Sequence, residues 1–187
     1  MKLLIPFIFL IIITIFIAGC NVETKKEELA EKPMKISGGV VKMKLTSMAF
    51  ENNKEMPSEY TCDGPNIAPE LNIKDIPENA KSLALIMDDP DAPAGTWAHW
   101  VVWNIPPDTM TIKKGKEPKG TQGTTSFGRR GYGGPCPPFG THRYFFKLYA
   151  LDKMLGLKEG SNKEDLEDAM DGHIIEKAEL MGTYKRK

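Results

Sequence analysis

Two segments of the sequence combine the residue types that could do chemistry, residues 88–100 and 128–144. Each places a cluster of prolines or glycines beside hydrogen-bonding side chains, which include His99 in the first segment and His142 in the second. Prolines fix φ and reduce the entropy lost on ordering, whereas glycines let backbone N–H groups point into a concavity that can cradle an anion. The two segments therefore predict a rigid, preformed pocket at the edge of a sheet.

His99 also has a plainer interpretation. It lies in an apolar stretch between Trp97 and Trp103, where a histidine can be a buried core residue that bonds to a backbone carbonyl. Spacing alone does not separate this interpretation from a role in a pocket.

An enzymatic role is an alternative, because His99 or His142 could act as a general base near Asp89 on a phosphoester or peptide-like substrate. A nucleophile is not evident: no serine lies in a nucleophile-elbow motif, and prolines flank Cys136. The sequence has no His-x-x-x-His pair of the kind that holds zinc. We therefore predict a noncatalytic protein with no metal and no cofactor.

The charge balance argues against a partner that is a nucleic acid. Lys plus Arg and Asp plus Glu both number 25, so the formal net charge is zero. Binding that relies on a basic surface needs an excess of positive charge. The hydrophobic share of 41% is sufficient for a core, and 187 residues suggest one main domain.

The N-terminus has the pattern of an export signal. Lys2 precedes an apolar stretch that ends in Ala18, Gly19 and Cys20. A charged start, an apolar centre and small residues before the cysteine fit a secretory signal, and residues 17–20 resemble the bacterial lipobox. We expect residues 1–19 to be removed and Cys20 to carry lipid, with an uncleaved anchor as the alternative. Both place the domain outside the cytoplasm, tethered to a membrane, and the first makes it a lipoprotein of the cell surface or periplasm.

Composition divides the remaining chain into a tether and a domain. Residues 20–42 are rich in lysine and glutamate and contain no aromatic residue, so they cannot bury enough apolar surface to fold alone. We predict that they form a flexible tether and that the folded domain occupies residues 43–187.

Two cysteines remain after Cys20 is assigned to lipid, Cys62 and Cys136. An even number of cysteines in an exported domain makes a disulfide a candidate, because the compartment is oxidising. Two reduced, partly buried thiols are the alternative, since sequence does not give the distance between them.

The elements that must position these side chains are mostly strands. Short apolar or alternating stretches at residues 40–50, 82–87, 98–105 and 144–151 predict strands, and residues 82–87 are apolar on both faces, as in a central strand. Proline-rich and glycine-rich connections indicate long, stiff loops.

One late helix is predicted over residues 161–181, before Gly182. Ser161 and Glu164 match a capping box, and apolar residues recur every three to four positions at Leu166, Met170, Ile174, Ala178 and Met181. Strands joined by irregular loops, with one late helix, predict a mainly β fold, an antiparallel β-sandwich with peripheral helices rather than a wound α/β fold.

The sequence resembles the phosphatidylethanolamine-binding protein family, also called the Raf kinase inhibitor protein family, and within it the prokaryotic YbhB/YbcL branch. Residues 89–93 with His99, and residues 140–144, resemble its two signatures. Residues 60–64, 131–138 and 172–174 resemble the prokaryotic branch, and the similarity extends over about residues 45–184.

The resemblance implies a β-sandwich with an anion pocket at one end that accepts phosphate-like groups, including phospholipid head groups. The implied ligand-binding residues are Asp89, Asp91, His99, Gly134, His142 and Tyr144, and the implied walls are Pro93, Pro137 and Pro138. In such a pocket we expect Asp89 to accept from an imidazole, or from the ammonium of an ethanolamine head group, rather than to face the phosphate. Arg143 is expected to brace the loop through an ion pair with Asp91.

The expected function is therefore noncatalytic capture of a small phosphorylated or other anionic ligand, with the membrane as a second partner through the N-terminal lipid. A weak hydrolase and an inhibitor of a protease or kinase, acting through the pocket loops, stay as alternatives. No protein partner is identified.

Overall fold

The computed structural model describes residues 42–187 of the chain. The predicted signal segment, Cys20 and nearly all of the predicted tether lie outside the described residues, so those assignments and the boundary at residue 43 stay predictions. No helix within residues 42–187 is long and apolar enough to cross a membrane.

The described chain folds into two sheets, one short 3₁₀ turn at Ser58–Tyr60 and one α-helix. The elements in chain order are β1 (Lys44–Thr46), β2 (Lys54–Glu55), β3 (Leu71–Lys74), β4 (Ser82–Asp89), β5 (Trp97–Ile105), β6 (Thr111–Ile112), β7 (Thr121–Gln122), β8 (His142–Leu151), α1 (Lys163–Met170) and β9 (Ile174–Tyr184).

A six-stranded sheet forms the centre of the fold, in the order β2-β9-β8-β4-β5-β7. A three-stranded sheet of order β1-β3-β6 packs on one of its faces. Neighbouring strands are antiparallel except for the short parallel pair β2 and β9. The mainly β, antiparallel sandwich predicted from the sequence is therefore confirmed.

Strand β4 is buried along its whole length because both faces of the central sheet are covered. On one face Leu83, Leu85 and Met87 join the core beneath the small sheet. On the other face Ala84 and Ile86 pack in a second cluster with residues of α1. An apolar sequence on both faces of a strand is what such a position requires.

The prediction of one long helix over residues 161–181 is wrong in its second half. Helix α1 ends at Met170, a turn with Gly172 at a φ of 73° follows, and Ile174–Tyr184 is strand β9. Ala178, Leu180 and Tyr184 are buried at even spacing, which is the period of a strand. Strand β9 pairs with β8 along ten residues and satisfies the backbone hydrogen-bonding groups on that edge of β8. This pairing outweighs the local helical spacing.

The capping box of α1 also lies one residue later than predicted. Asn162 accepts from the N–H of Asp165, and the Asp165 carboxylate accepts from the N–H of Asn162. Ser161 and Glu164 therefore do not form it. The predicted first strand, residues 40–50, is shorter in the structure and comprises Lys44–Thr46.

Candidate anion-binding site

The two chemistry-bearing segments meet at one end of the central sheet. Strand β4 ends at Asp89, the antiparallel strands β5 and β8 begin beside it, and Asp89 pairs with Trp97 in the sheet register. His99 is the third residue of β5, and His142 is the first residue of β8. Antiparallel pairing therefore brings side chains from distant parts of the sequence to the same edge.

A cavity of about 330 Å³ opens between these strand ends and the loops that follow them. We call it the Asp89 cavity. Its ionisable lining residues are Asp89, His99 and His142. The remaining walls are apolar and consist of Ala92, Pro93, Ala94, Trp97, Phe127, Cys136, Pro137 and Pro138.

Asp89 is held by a hydrogen bond to each of its carboxylate oxygens. His142 donates from Nδ1 to Oδ2 of Asp89 at 2.7 Å, and the backbone N–H of Asp91 donates to Oδ1 at 2.8 Å. The side chains of the Asp89–His142 pair are only about 4% and 5% exposed, respectively. The carboxylate thus faces the imidazole, which is the contact expected from the sequence.

His99 combines its two possible roles. Its Nδ1 lies 2.6 Å from the carbonyl oxygen of Gly133, and since a carbonyl can only accept, Nδ1 carries the hydrogen. Its ring makes edge contacts with Phe127 and Tyr144, both at 5.2 Å between centroids. Burial lowers the pKa of His99, which favours the neutral ring. The histidine is a buried residue bonded to the backbone and also lines the cavity.

Three of the residues assigned to ligand binding do not line the cavity. Asp91 turns instead towards Arg143, which donates from Nη2 to Oδ1 at 2.6 Å and from Nε to Oδ2 at 2.9 Å. Hydrogen bonds from the Arg143 side chain lower the pKa of Asp91 to about 2. The pair braces the loop between β4 and β5, as the sequence suggested for Arg143, and leaves neither charge for a ligand.

Gly134 is the second of these residues. Its backbone N–H donates to Oδ1 of Asn66 at 2.7 Å, so it does not point at a ligand. A Cβ added at this position would overlap the carbonyl oxygen of Tyr60 and the side chain of Asn66. Glycine is required here for close packing of two loops.

Tyr144 is the third. It is fully buried, and its ring contacts His99 edge-on and stacks on His142 at 6.5 Å between centroids. Its hydroxyl has no hydrogen-bond partner within residues 42–187. Burial, and then the charge of Asp89, raise the pKa of Tyr144, so the phenol stays neutral. Tyr144 supports the two histidines from below.

The loop that forms one wall of the cavity is fastened to residues 60–66. Cys62 and Cys136 are joined by a disulfide, with their Cα atoms 5.4 Å apart. The N–H of Cys62 also donates to the carbonyl of Pro135, and the Tyr132 hydroxyl donates to the carbonyl of Tyr60 at 2.7 Å. These bonds fix the wall prolines Pro137 and Pro138 relative to the sheet.

Sequence reasoning missed Phe127 as a wall residue. Its ring is 39% exposed and contacts Trp97 edge-on at 5.5 Å. An aromatic residue in a glycine-rich and serine-rich turn has no core to enter, and that was the available signal. Trp97 also lies in the wall.

The third histidine lies outside this site. His173 follows α1 and places Nδ1 3.0 Å from Oδ1 of Asp152. Within the part of the chain that the structure describes, no group of three or more His, Cys, Asp or Glu side chains is placed to hold a metal ion.

Comparisons with known proteins give a consistent result. The family described as phosphatidylethanolamine-binding protein matches residues 46–185. A protein of Methanothermobacter thermautotrophicus named UPF0098 protein is 51% identical over 150 residues, which cover 77% of this chain and 99% of that protein. A protein of the same name from Pyrococcus horikoshii is 50% identical over 163 residues, covering 81% of this chain and 82% of the relative.

Solved structures agree with the sequence relatives. A crystal structure described as a phosphatidylethanolamine-binding protein homolog from Chlamydia trachomatis has a TM-score of 0.76 and 46% identity, covering 78% of this chain and 99% of its own. Escherichia coli YbcL, described as a new member of the mammalian family, has a TM-score of 0.74 and 30% identity, covering 79% of this chain and all of its own.

Proposed function

Because the chain belongs to the phosphatidylethanolamine-binding protein family, and its relatives support the YbhB/YbcL-like branch, we propose that it is a noncatalytic binding protein. It captures a small phosphate-type or other anionic ligand in the Asp89 cavity. The observation that carries this proposal is the Asp89–His142 pair at a cavity that also contains His99, because two imidazoles at one cavity can form hydrogen bonds with a phosphate-type ligand.

The walls indicate that the ligand also has an organic part. Trp97, Phe127 and three prolines surround the ionisable residues with apolar surface. A cavity of about 330 Å³ is at the small end of the range for ligand sites, in which apolar walls and few polar groups are usual. A phosphorylated small molecule would place its phosphate at the histidines and its carbon skeleton against the aromatic rings.

The lining supports binding rather than covalent catalysis. The described lining residues include no serine, threonine, lysine or tyrosine. Cys136 is in the lining, but its sulfur is held in the disulfide with Cys62 and is not a free nucleophile.

We place the protein outside the cytoplasm as a lipoprotein attached through Cys20. The lipobox-like residues 17–20 support this proposal, and so does the disulfide, since such bonds persist mainly in oxidising compartments. Mass spectrometry of the membrane fraction should give a chain that begins at a lipid-modified Cys20. A chain that retains Met1 would contradict it.

The binding proposal is tested by calorimetry with the purified full-length protein in detergent. Inorganic phosphate and phosphoethanolamine should bind saturably at one site. His142→Ala should weaken binding by about tenfold or more, because a hydrogen bond to a charged ligand oxygen is lost. His173→Ala is the matched control and should leave the affinity unchanged, since His173 does not line the cavity. Equal affinities for the two variants would contradict the proposal.

A further inference from the structure

We propose that the Asp89 cavity selects oxyanions that carry a hydrogen of their own, namely inorganic phosphate or a singly protonated phosphate monoester. It discriminates against oxyanions that cannot donate, such as sulfate and phosphodiesters. The inference rests on the proposed function and specifies the class of ligand.

The first step is the fixed orientation of both imidazoles. Nδ1 of His99 donates to the carbonyl of Gly133, and Nδ1 of His142 contacts the Asp89 carboxylate. Within residues 42–187 neither Nε2 atom has a hydrogen-bond partner. Neither atom is fully buried. Since both rings line the cavity, Nε2 is the nitrogen that each presents to a ligand.

The second step is that His99 presents a lone pair. Its Nδ1 must keep a hydrogen for the carbonyl, so the neutral ring has a bare Nε2. Burial lowers the pKa of His99 and favours this neutral form. The surrounding ionisable groups include Asp89 from β4, His142 and Tyr144 from β8, and Arg129, which lies 5.6 Å from the centre of the Phe127 ring. A ligand at this nitrogen must donate a hydrogen bond.

The third step is that His142 can supply the complementary donor. Its Nδ1 lies 2.7 Å from Oδ2 of Asp89, a carboxylate oxygen that accepts, so Nδ1 holds a hydrogen and a second ring proton lies on Nε2. The cavity thus offers one donor and one acceptor on neighbouring rings. An oxyanion with one O–H and several bare oxygens satisfies both.

The charges around the cavity point the same way. No lysine or arginine is among the described lining residues, and Arg143 is engaged by Asp91. Both oxygens of Asp89 already accept hydrogen bonds from the protein. A fully deprotonated anion would therefore meet the lone pair of His99 and a buried carboxylate with no lysine or arginine among the lining residues to offset them.

The test compares three probes by calorimetry on the full-length protein at about pH 7: inorganic phosphate, sulfate and glycerophosphoethanolamine. The last is a phosphodiester with the head group of a phospholipid. Phosphate should bind at least about tenfold more tightly than either of the others, because a site that requires a donor rejects analogues that lack one.

Outcomes of this comparison separate the inference from the proposed function. Affinities within about twofold of one another would overturn the inference and leave anion binding intact. Tighter binding of the diester would also overturn it and favour a lipid head group. Failure of all three probes to bind would overturn both.

A second measurement varies the ligand's proton. A phosphate monoester loses its last proton with a pKa of about 6, whereas inorganic phosphate keeps one hydrogen throughout about pH 5 to 8. The dissociation constant of methyl phosphate relative to that of inorganic phosphate should therefore rise about tenfold or more between pH 5 and 8. Both probes meet the same protein groups at each pH, so a constant ratio would overturn the inference.

His99→Gln tests the acceptor directly. The glutamine amide can present either a donor or an acceptor at the position of Nε2, so the preference for phosphate over sulfate should fall several-fold. His173→Gln is the matched control and should keep the wild-type ratio. A wild-type ratio in a folded His99→Gln variant would overturn the role of His99, and if that variant does not fold, the wild-type comparison of probes still decides.

Discussion

At the scale of residues, hydrogen-bond partners decide which polar side chains of the two segments can meet a ligand. Asp89 and Asp91 are two positions apart, yet the first lines the cavity and the second is tied to Arg143 at the surface. His99 and His142 both use Nδ1 on the protein and therefore keep Nε2 for the ligand. Small differences in orientation thus separate binding residues from supporting ones.

The Asp91–Arg143 pair predicts a specific pH dependence. The carboxyl of Asp91 has a pKa of about 2, below its ordinary 3.8, so its stabilising effect is complete above about pH 4 and is lost as the pH falls towards 2. Because both side chains are partly exposed, we expect Asp91→Asn to lower the free energy of unfolding at pH 7 by at most about 1 kcal/mol. The difference from wild type should shrink towards zero near pH 2.

Urea denaturation at several pH values measures this difference. Asp108→Asn is the control, since Asp108 is exposed and has no ion pair within residues 42–187, and it should show no such trend. A deficit in Asp91→Asn that stays constant from pH 7 to pH 2 would argue against the pair as its source.

The sequence identified the residue types of the site better than their roles. The resemblance to the family grouped Asp89, His99 and His142, and in the structure the pairing of β4 with β5 and β8 brings these three side chains to one cavity. Gly134 and Tyr144 belong to the same motifs, but their support roles depend on which way an N–H or a hydroxyl points. That direction is set by contacts with distant residues such as Asn66, which spacing does not reveal.

At the scale of elements, the site depends on strands β4, β5 and β8, whose ends meet at one edge of the sheet. It also depends on the loop around Gly134, which packs closely against residues 60–66. Strands β4, β5 and β8 were predicted well because apolar content on one or both faces is a local property. Strand β9 was not, since Ile174 and Ala178 continue the helical spacing of α1 by coincidence, while the pairing with β8 is long-range. Tertiary pairing outweighed local periodicity there.

The packing of the pocket loop makes Gly134 sensitive to substitution. Gly134→Ala should lower the free energy of unfolding by about 2–3 kcal/mol, because the added methyl group overlaps the backbone of Tyr60 and displaces Asn66. Gly156→Ala is the matched control, since no atom lies within 4 Å of its added Cβ, and its effect should stay within about 0.5 kcal/mol. Chemical denaturation checks both, and similar losses in the two variants would be inconsistent with the packing described.

At the scale of the whole molecule, a sheet buried on both faces forms a rigid base, and the disulfide fastens the cavity wall to the loop at Cys62. The bond joins residues 74 positions apart, across β3 to β7. An exported protein, as we propose this to be, can rely on such a bond where a cytoplasmic one cannot. The wall therefore depends on the redox state of its compartment.

Removing the disulfide should cost stability and affinity together. The double variant Cys62→Ser and Cys136→Ser should lose about 4 kcal/mol of unfolding free energy by the chain-entropy estimate for this separation. Its phosphate affinity should also fall, because Pro137 and Pro138 are no longer fixed. Guanidinium denaturation with and without reductant checks this: reductant should destabilise the wild type and leave the double variant unchanged. A wild type insensitive to reductant would contradict it.

The central claim, that His99 and His142 together bind an anion, is tested most directly by nuclear magnetic resonance of the three histidine rings. On titration with inorganic phosphate, the imidazole signals of His99 and His142 should shift and saturate together with one dissociation constant. His173, paired with Asp152 outside the cavity, should not move. If His99 and His142 stay unchanged at high phosphate, or if all three rings shift alike without saturation, the claim is wrong.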